Sequence, residues 1–323
     1  MEERVRRSWL LVPVDNADRV GEATSVGADV VVLDLEDTVH ESKKHQARGR
    51  VKDAIPEMCS RGSEVFVRSD LELLYADLEA SVWHGLTGVI LPRVTTVEQV
   101  QEADQILAEF EAQRGVVKPP PVGEIMEADD PRGPEQALEI HLSLDTGRGN
   151  WDVVKLVEAS SRVRSISLGR ADLVMDLREE PSGDLHLMPY LMQRLITIAN
   201  ATGVQPIGAW WRATSRGLVA NPEDTLQAAT TGRQAGFRGA LCMRASQAEP
   251  LNRGFTPSDE EKARASAVIG AFAAARAEGK ATAVVDGEIV NAGRAAGAAR
   301  LLEWAEACQA RDEAKARVAE TAG

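Results

Sequence analysis

Short apolar runs alternate with amphipathic stretches along most of this chain, and the two periods predict two kinds of element. The first run is Trp9 to Val14, and Asp18 to Ser25 reads as the helix after it. The next is Asp29-Val30-Val31-Val32-Leu33-Asp34-Leu35-Glu36-Asp37, a β-branched run that stops abruptly in carboxylates. Such a run predicts a strand buried on both faces, as in parallel sheets covered by helices. Lys43 to Met58 follows as a helix, Glu64 to Arg68 as a strand ending on a cation, and Leu71 to Trp83 as a helix. Gly88 to Pro92 is a fourth strand, and Val94 to Arg114 a long helix with Thr95 or Thr96 as its cap. Periodicity fails between Val116 and Gln136, where Pro119-Pro120-Pro121 and Glu127-Ala128-Asp129-Asp130 mark an exposed loop. Strands return at Glu139 to Leu144, ending at Asp145, and at Arg164 to Leu168, followed by Gly169-Arg170-Ala171-Asp172. A helix from Pro189 to Thr202 precedes a strand from Gln205 to Ala209, and a helix from Glu223 to Ala235 precedes one from Gly239 to Met243.

Eight such β/α units predict an α/β protein of the (β/α)8 TIM-barrel type over residues 1–257. Residues 258–323 are rich in Ala, Glu and Arg, interrupted by a non-helical stretch from Ala283 to Val290. They read as a C-terminal helical extension, too long for a last barrel helix. TIM barrels carry their chemistry where the strands end, and Glu36, Asp37, Arg68, Asp145 and Asp172 all fall at predicted strand ends. Acids after a strand also serve as helix N-caps, and Asp37 or Ser42 fits that role too.

Composition narrows the partners. With 323 residues, 44% of them apolar, the chain can bury a sizeable core. A formal net charge of −13 argues against a nucleic-acid partner, which requires a basic surface. The mixed-charge start Met1-Glu2-Glu3-Arg4 has no apolar signal region, and no stretch approaches a membrane span, so a cytoplasmic location is expected. Cys59, Cys242 and Cys308 fit neither a disulfide framework nor a metal cluster and read as small buried hydrophobes. His40 and His45 follow Asp37 toward the expected mouth but also suit a solvated helix start. His84, His141 and His186 show no metal spacing and read as structural.

An ordered set of motifs runs through the chain: Arg7-Ser8-Trp9-Leu10 with Val12-Pro13, Leu33-Asp34-Leu35-Glu36-Asp37, Val67-Arg68, Leu91-Pro92-Arg93, Leu168-Gly169-Arg170-Ala171-Asp172 and Phe255-Thr256-Pro257-Ser258. The set resembles the citrate lyase β-subunit (CitE-like) branch of the HpcH/HpaI aldolase family, over roughly residues 6 to 305. That resemblance implies a barrel that binds Mg²⁺ and makes or breaks carbon–carbon bonds in acyl-CoA thioesters or small 2-oxo acids, as a homotrimer or hexamer. It also implies Asp145 and Asp172 as metal ligands, Arg68 on the substrate oxygen, and Glu36 and Asp37 on metal-bound waters. The chemistry explains the residue types: cleavage beside a carbonyl generates an enolate, which a hard cation and a fixed guanidinium stabilise.

Departures from the family pattern carry information as well. Leu144-Asp145-Thr146 is one methylene shorter than the usual Glu at the first metal position. Gly208 stands for an acid after the seventh strand, with Trp210 and Trp211 behind it as core, interface or, the reading preferred, a substrate wall. Arg244 adds a cation after the eighth strand, available to a substrate carboxylate or phosphate, or to a surface ion pair. In the extension, Asp286-Gly287-Glu288-Ile289-Val290-Asn291 places Asn291 where the family supplies an acid/base Asp to a neighbouring subunit. Asparagine orients a carbonyl but exchanges no proton at neutral pH. The expected function is a Mg²⁺-dependent carbon–carbon lyase or condensing enzyme. The alternatives are a metal-dependent thioester hydrolase and a member that has lost catalysis with its acid.

Overall fold

The computed structural model describes residues 4–122, 137–169, 187–211 and 220–321. Eight strands run parallel: β1 (Ser8–Pro13), β2 (Val30–Asp34), β3 (Glu64–Arg68), β4 (Leu86–Leu91), β5 (Glu139–Ser143), β6 (Val163–Ser167), β7 (Gln205–Ile207) and β8 (Ala240–Cys242). They pair in the order β7-β6-β5-β4-β3-β2-β1-β8. A parallel bridge between Ile207 and Gly239, and hydrogen bonds from Gly208 N to Gly239 O and Arg238 N to Pro206 O, join the two ends into a barrel.

Alternation along the strands sorts side chains between two cores. Trp9, Leu11, Val30, Val32, Phe66, Ile90 and Ile207 fill the lumen, with the Trp9 and Phe66 rings 4.8 Å apart. Leu10, Val12, Val31, Leu33, Val65 and Val67 face outward into a larger core beneath the helices. Those helices are α1 (Ala17–Ala23), α2 (Lys44–Cys59), α3 (Leu74–Ser81), α4 (Val97–Arg114), α5 (Gly147–Glu158), α6 (Leu187–Thr202), α7 (Pro222–Ala235) and α8 (Ala248–Phe255). The single helix expected from Leu71 divides into a 3-10 turn, Leu71–Leu73, capped by Asp70, and then α3. The long helix starts at Val97 rather than Val94, because Thr96 and Gln99 form a reciprocal capping box.

The extension consists of α9 (Asp259–Ala277), a hairpin of β9 (Ala283–Val285) and β10 (Glu288–Val290), and α10 (Ala292–Thr321). Asp286 and Gly287 turn the hairpin with positive φ of 52° and 77°. The last turns of α10 return to the barrel base, where the strands begin. There Lys315 Nζ donates to Asp29 Oδ1 at 2.5 Å, Arg311 to the Asp29 carbonyl at 2.8 Å, and Arg7 to Asp312 Oδ1 at 2.5 Å. Arg6, 2% exposed, donates to Glu64 and Glu139, each at 2.6 Å, and Lys118 reaches Glu139 at 2.9 Å. Burial opposes ionisation of Glu139, yet Arg6 above all holds its carboxyl down at about 2. Among the described residues no helix is long and apolar enough to cross a membrane.

Candidate active site at the barrel mouth

Strand register builds the first half of the mouth. β2 and β3 pair with Asp34 opposite Arg68, so the two inward side chains meet at the carboxyl ends of their strands. Arg68 donates from Nε to Asp34 Oδ1 at 2.6 Å and from Nη2 to Oδ2 at 2.7 Å, a two-point fork. Asp34 is fully buried and also accepts from Glu36 N, Thr38 N and Thr38 Oγ1. Burial alone would raise its pKa, but the Arg68 hydrogen bonds and charge hold it below the ordinary carboxylate range. The fork fixes the guanidinium, whose remaining nitrogen, Nη1, lies 3.0 Å from Glu36 Oε2 and 3.8 Å from Asp37 Oδ2. One guanidinium is thus shared by three carboxylates.

Glu36 is the least satisfied of the three. It is 2% exposed, and Arg93 Nη2 lies 2.8 Å from its Oε1, yet neither oxygen accepts an aligned hydrogen bond among the described residues. Burial pushes its carboxyl up to about 7, Asp37 and Asp34 adding like charge, against the pull of Arg68 and Arg93. Asp37 is 53% exposed at the rim. Neither acid caps the following turn, a role that falls to His40, whose Nδ1 accepts from Ser42 N.

The second half centres on Asp145, 4% exposed just past β5. Arg93 adopts a left-handed φ of 53° and donates its backbone N–H to Asp145 Oδ2 at 3.0 Å, while its guanidinium reaches Glu36. Ser143 Oγ donates to Asp145 Oδ1 at 2.6 Å. Thr146, not Asp145, caps α5. A Cβ at Gly169 would fall 1.7 Å from Asp145 Oδ1, so only glycine lets the end of β6 pass this close to the carboxylate. Asp172, three positions further, lies outside the described residues, as do Arg170 and His186. Among the described residues no three His, Cys, Asp or Glu side chains converge as a metal cluster. Mg²⁺ takes one or two protein carboxylates and keeps several waters. The chemistry of the donors present, a positioned Asp145 and the buried, poorly bonded oxygens of Glu36, fits a hard, partly hydrated divalent cation.

None of the other predicted residues bonds to Asp34, Glu36, Asp37 or Arg68 among the described residues. Trp210 and Trp211 are half-buried against the core between barrel and helices. Gly208 has its physical reason in Phe237, whose ring would sit 2.7 Å from a Cβ there. Arg244 is exposed after β8 and opens the 3-10 turn Ala245–Gln247. Asn291 is exposed on the extension, where its Oδ1 accepts from Arg294 N at 3.0 Å at the start of α10. His40, His45 and His84 are exposed, whereas His141 is fully buried in the lumen. Arg93 carries the most information missed in the sequence, since it touches both halves of the mouth. Beside the mouth, Pro13, Asp15, Asn16, Thr38, Lys43 and Arg50 line a cleft of about 410 Å³.

A closed parallel barrel with an ionisable cluster at the strand ends defines a TIM-barrel protein with a candidate site in the usual place for that class. Residues 7–245 match the family described as HpcH/HpaI aldolase/citrate lyase, and the chain belongs to that family. Citrate lyase subunit beta of Escherichia coli strain K12 is 29% identical over 291 residues, covering 89% of each chain. A (3S)-malyl-CoA thioesterase of Cereibacter sphaeroides is 27% identical over 290 residues, covering 88% of this chain and 89% of the relative. The same fold occurs in CitE from Mycobacterium tuberculosis, solved with magnesium, acetoacetate and coenzyme A: TM-score 0.68, 22% identity, 93% of this chain and 97% of that one covered.

Proposed function

We propose that this protein is a Mg²⁺-dependent carbon–carbon lyase or condensing enzyme acting through an enolate on an acyl-CoA thioester or a small 2-oxo acid. The observation that carries the reading is the mouth cluster, in which a guanidinium locked by Asp34 turns its last nitrogen toward Glu36 and Asp37. Asp145 and Asp172 would hold the metal, with Glu36 and Asp37 on its waters; when bound, it polarises the carbonyl and spreads the enolate charge. Arg68 Nη1 binds the oxygen on which that charge develops, and its fixed position removes reorganisation from the step. Glu36, titrating near neutrality, holds or returns a proton in the mouth, a task that Asn291 cannot perform. Lys43 and Arg50, in the adjoining cleft, suit the phosphates of a coenzyme A tail. Magnesium and coenzyme A in the Mycobacterium tuberculosis structure support the same assignment.

Thioester hydrolysis is the second reading, favoured by Asn291 capping a helix where an acid is expected and by the thioesterase relative. An assay with Mg²⁺ on a panel of 3-hydroxyacyl-CoAs and 2-oxo acids separates the two. Lyase activity releases a carbonyl product with no free thiol, hydrolysis releases free coenzyme A, and neither product across the panel would mean a non-catalytic member. We further place the domain boundary after residue 257 and propose a homotrimer or hexamer built through the extension. Its hairpin exposes Val284 and Ile289, paired across the strands and 68% and 66% exposed. Light scattering that returned only a 34.8 kDa monomer would reject the assembly.

A further inference from the structure

We propose that His141, Ser167 and Ser143 form a hydrogen-bonded chain inside the barrel that positions Asp145 for a divalent cation. The inference rests on the reading of Asp145 as a metal ligand and adds three positioning residues to it. β5 and β6 pair with His141 opposite Ser165 and Ser143 opposite Ser167, so four polar side chains line one wall beside the apolar lumen cluster of Trp9, Phe66 and Ile90. His141 is fully buried, its ring 5.1 Å from that of Trp9. Its Nδ1 lies 2.7 Å from Ser165 Oγ and its Nε2 2.8 Å from Ser167 Oγ. Ser167 Oγ donates to Ser143 Oγ at 3.4 Å, and Ser143 Oγ donates to Asp145 Oδ1 at 2.6 Å.

Donor arithmetic gives this chain one direction. A hydroxyl has a single proton, and Ser143 commits it to a carboxylate that only accepts when ionised. Ser143 must then accept from Ser167, and Ser167 in turn from Nε2–H of His141. Burial, and after it the charge of Arg6, lower the His141 pKa to about 3, so the ring is neutral with one N–H. That proton is therefore on Nε2, and Nδ1 accepts from Ser165. Every donor points toward Asp145, as outer partners of a metal ligand do when they fix its orientation. Ser143 on Oδ1 and the Arg93 N–H on Oδ2 together set the plane of a carboxylate one methylene shorter than the glutamate of the family pattern.

The test is a double-mutant cycle on the full chain, read as the Mn²⁺ dissociation constant by calorimetry, with near-ultraviolet circular dichroism to confirm folding. Ser143→Ala and Ser167→Ala should each weaken Mn²⁺ about ten- to hundredfold. The double variant should be no weaker than Ser143→Ala, since the chain is already cut next to Asp145. Ser143→Thr, which keeps the hydroxyl, should return the affinity toward that of the parent. If Asp145→Ala loses Mn²⁺ while Ser143→Ala binds like the parent, or if the two serine effects add, the chain does not position the ligand. If Asp145→Ala binds like the parent, or the parent binds no Mn²⁺, the metal reading fails first and the chain with it.

Discussion

The two ends of the barrel are both rich in charge and put it to opposite uses. At the base, Asp29, Glu64 and Glu139 meet Arg6, Arg7, Lys118, Arg311 and Lys315 in a dense lattice of bonds, and each of these acids is held below its ordinary pKa. At the mouth, Arg68 is shared among Asp34, Glu36 and Asp37, with Arg93 reaching only Glu36 of the three among the described residues, and Glu36 is pushed the other way. A buried acid with its full complement of cations holds structure; one left short of them has capacity for a cation, a proton or a substrate oxygen. The base closes the fold with α10, while on the proposed reading the mouth keeps reactive capacity because, among the described residues, its charges are incompletely matched.

The largest effect expected is kinetic. Arg68→Lys keeps the charge and loses the fork, and should lower kcat about a hundredfold to a thousandfold while the protein stays folded, measured by steady-state kinetics on the substrate that the panel identifies. At the base, Arg6→Met should leave Glu64 and Glu139 short of their main cation and destabilise the fold by about 3–5 kcal/mol, read from the urea midpoint. Metal affinity should not change in that variant.

The pH dependence should divide along the same line. Glu139, at about 2, and His141, at about 3, bind fewer protons folded than unfolded, so their contribution is lost progressively as pH falls from their ordinary values toward these. Glu36 does the reverse. Between its ordinary 4.5 and about 7 the folded protein retains a proton that the unfolded chain releases, so stability falls as pH rises through that window. Glu36→Gln should flatten this limb and raise stability at pH 8 by on the order of 1–3 kcal/mol, with little change at pH 4. A thermal-denaturation series of parent and variant checks it.

The smallest effect belongs to Asn291, which lies on neither end. Asn291→Ala should cost about 1 kcal/mol through loss of the α10 cap and little in kcat. Asn291→Asp keeps the cap and adds an acid. A new ionisation in its pH–rate profile would mean that the hairpin reaches a mouth in the assembly, and an unchanged profile that it does not.

Much of the fold was legible because each strand is a compact apolar run. Glu36, Asp37, Arg68 and Asp145 stood out because those runs stop abruptly on charge. Less legible was what strand pairing decides. That Asp34 locks Arg68 follows from a register between residues 34 positions apart. Arg93 was visible only as part of a motif, since its left-handed backbone, which turns N–H and guanidinium to different acids, has no local signature. His141, Ser143, Ser165 and Ser167 did leave one, polar residues at every second position of two strands, but alternation alone does not tell a polar lumen from a solvated face. The return of α10 to Asp29 spans 282 residues and leaves no trace in periodicity.

The most direct test of the contrast between the two ends is a calorimetric Mg²⁺ titration of the parent, Asp145→Ala and Arg6→Met. Mg²⁺ should bind the parent and Arg6→Met with the same affinity and a folded Asp145→Ala not at all. Mg²⁺ affinity in Asp145→Ala equal to that of the parent would contradict this.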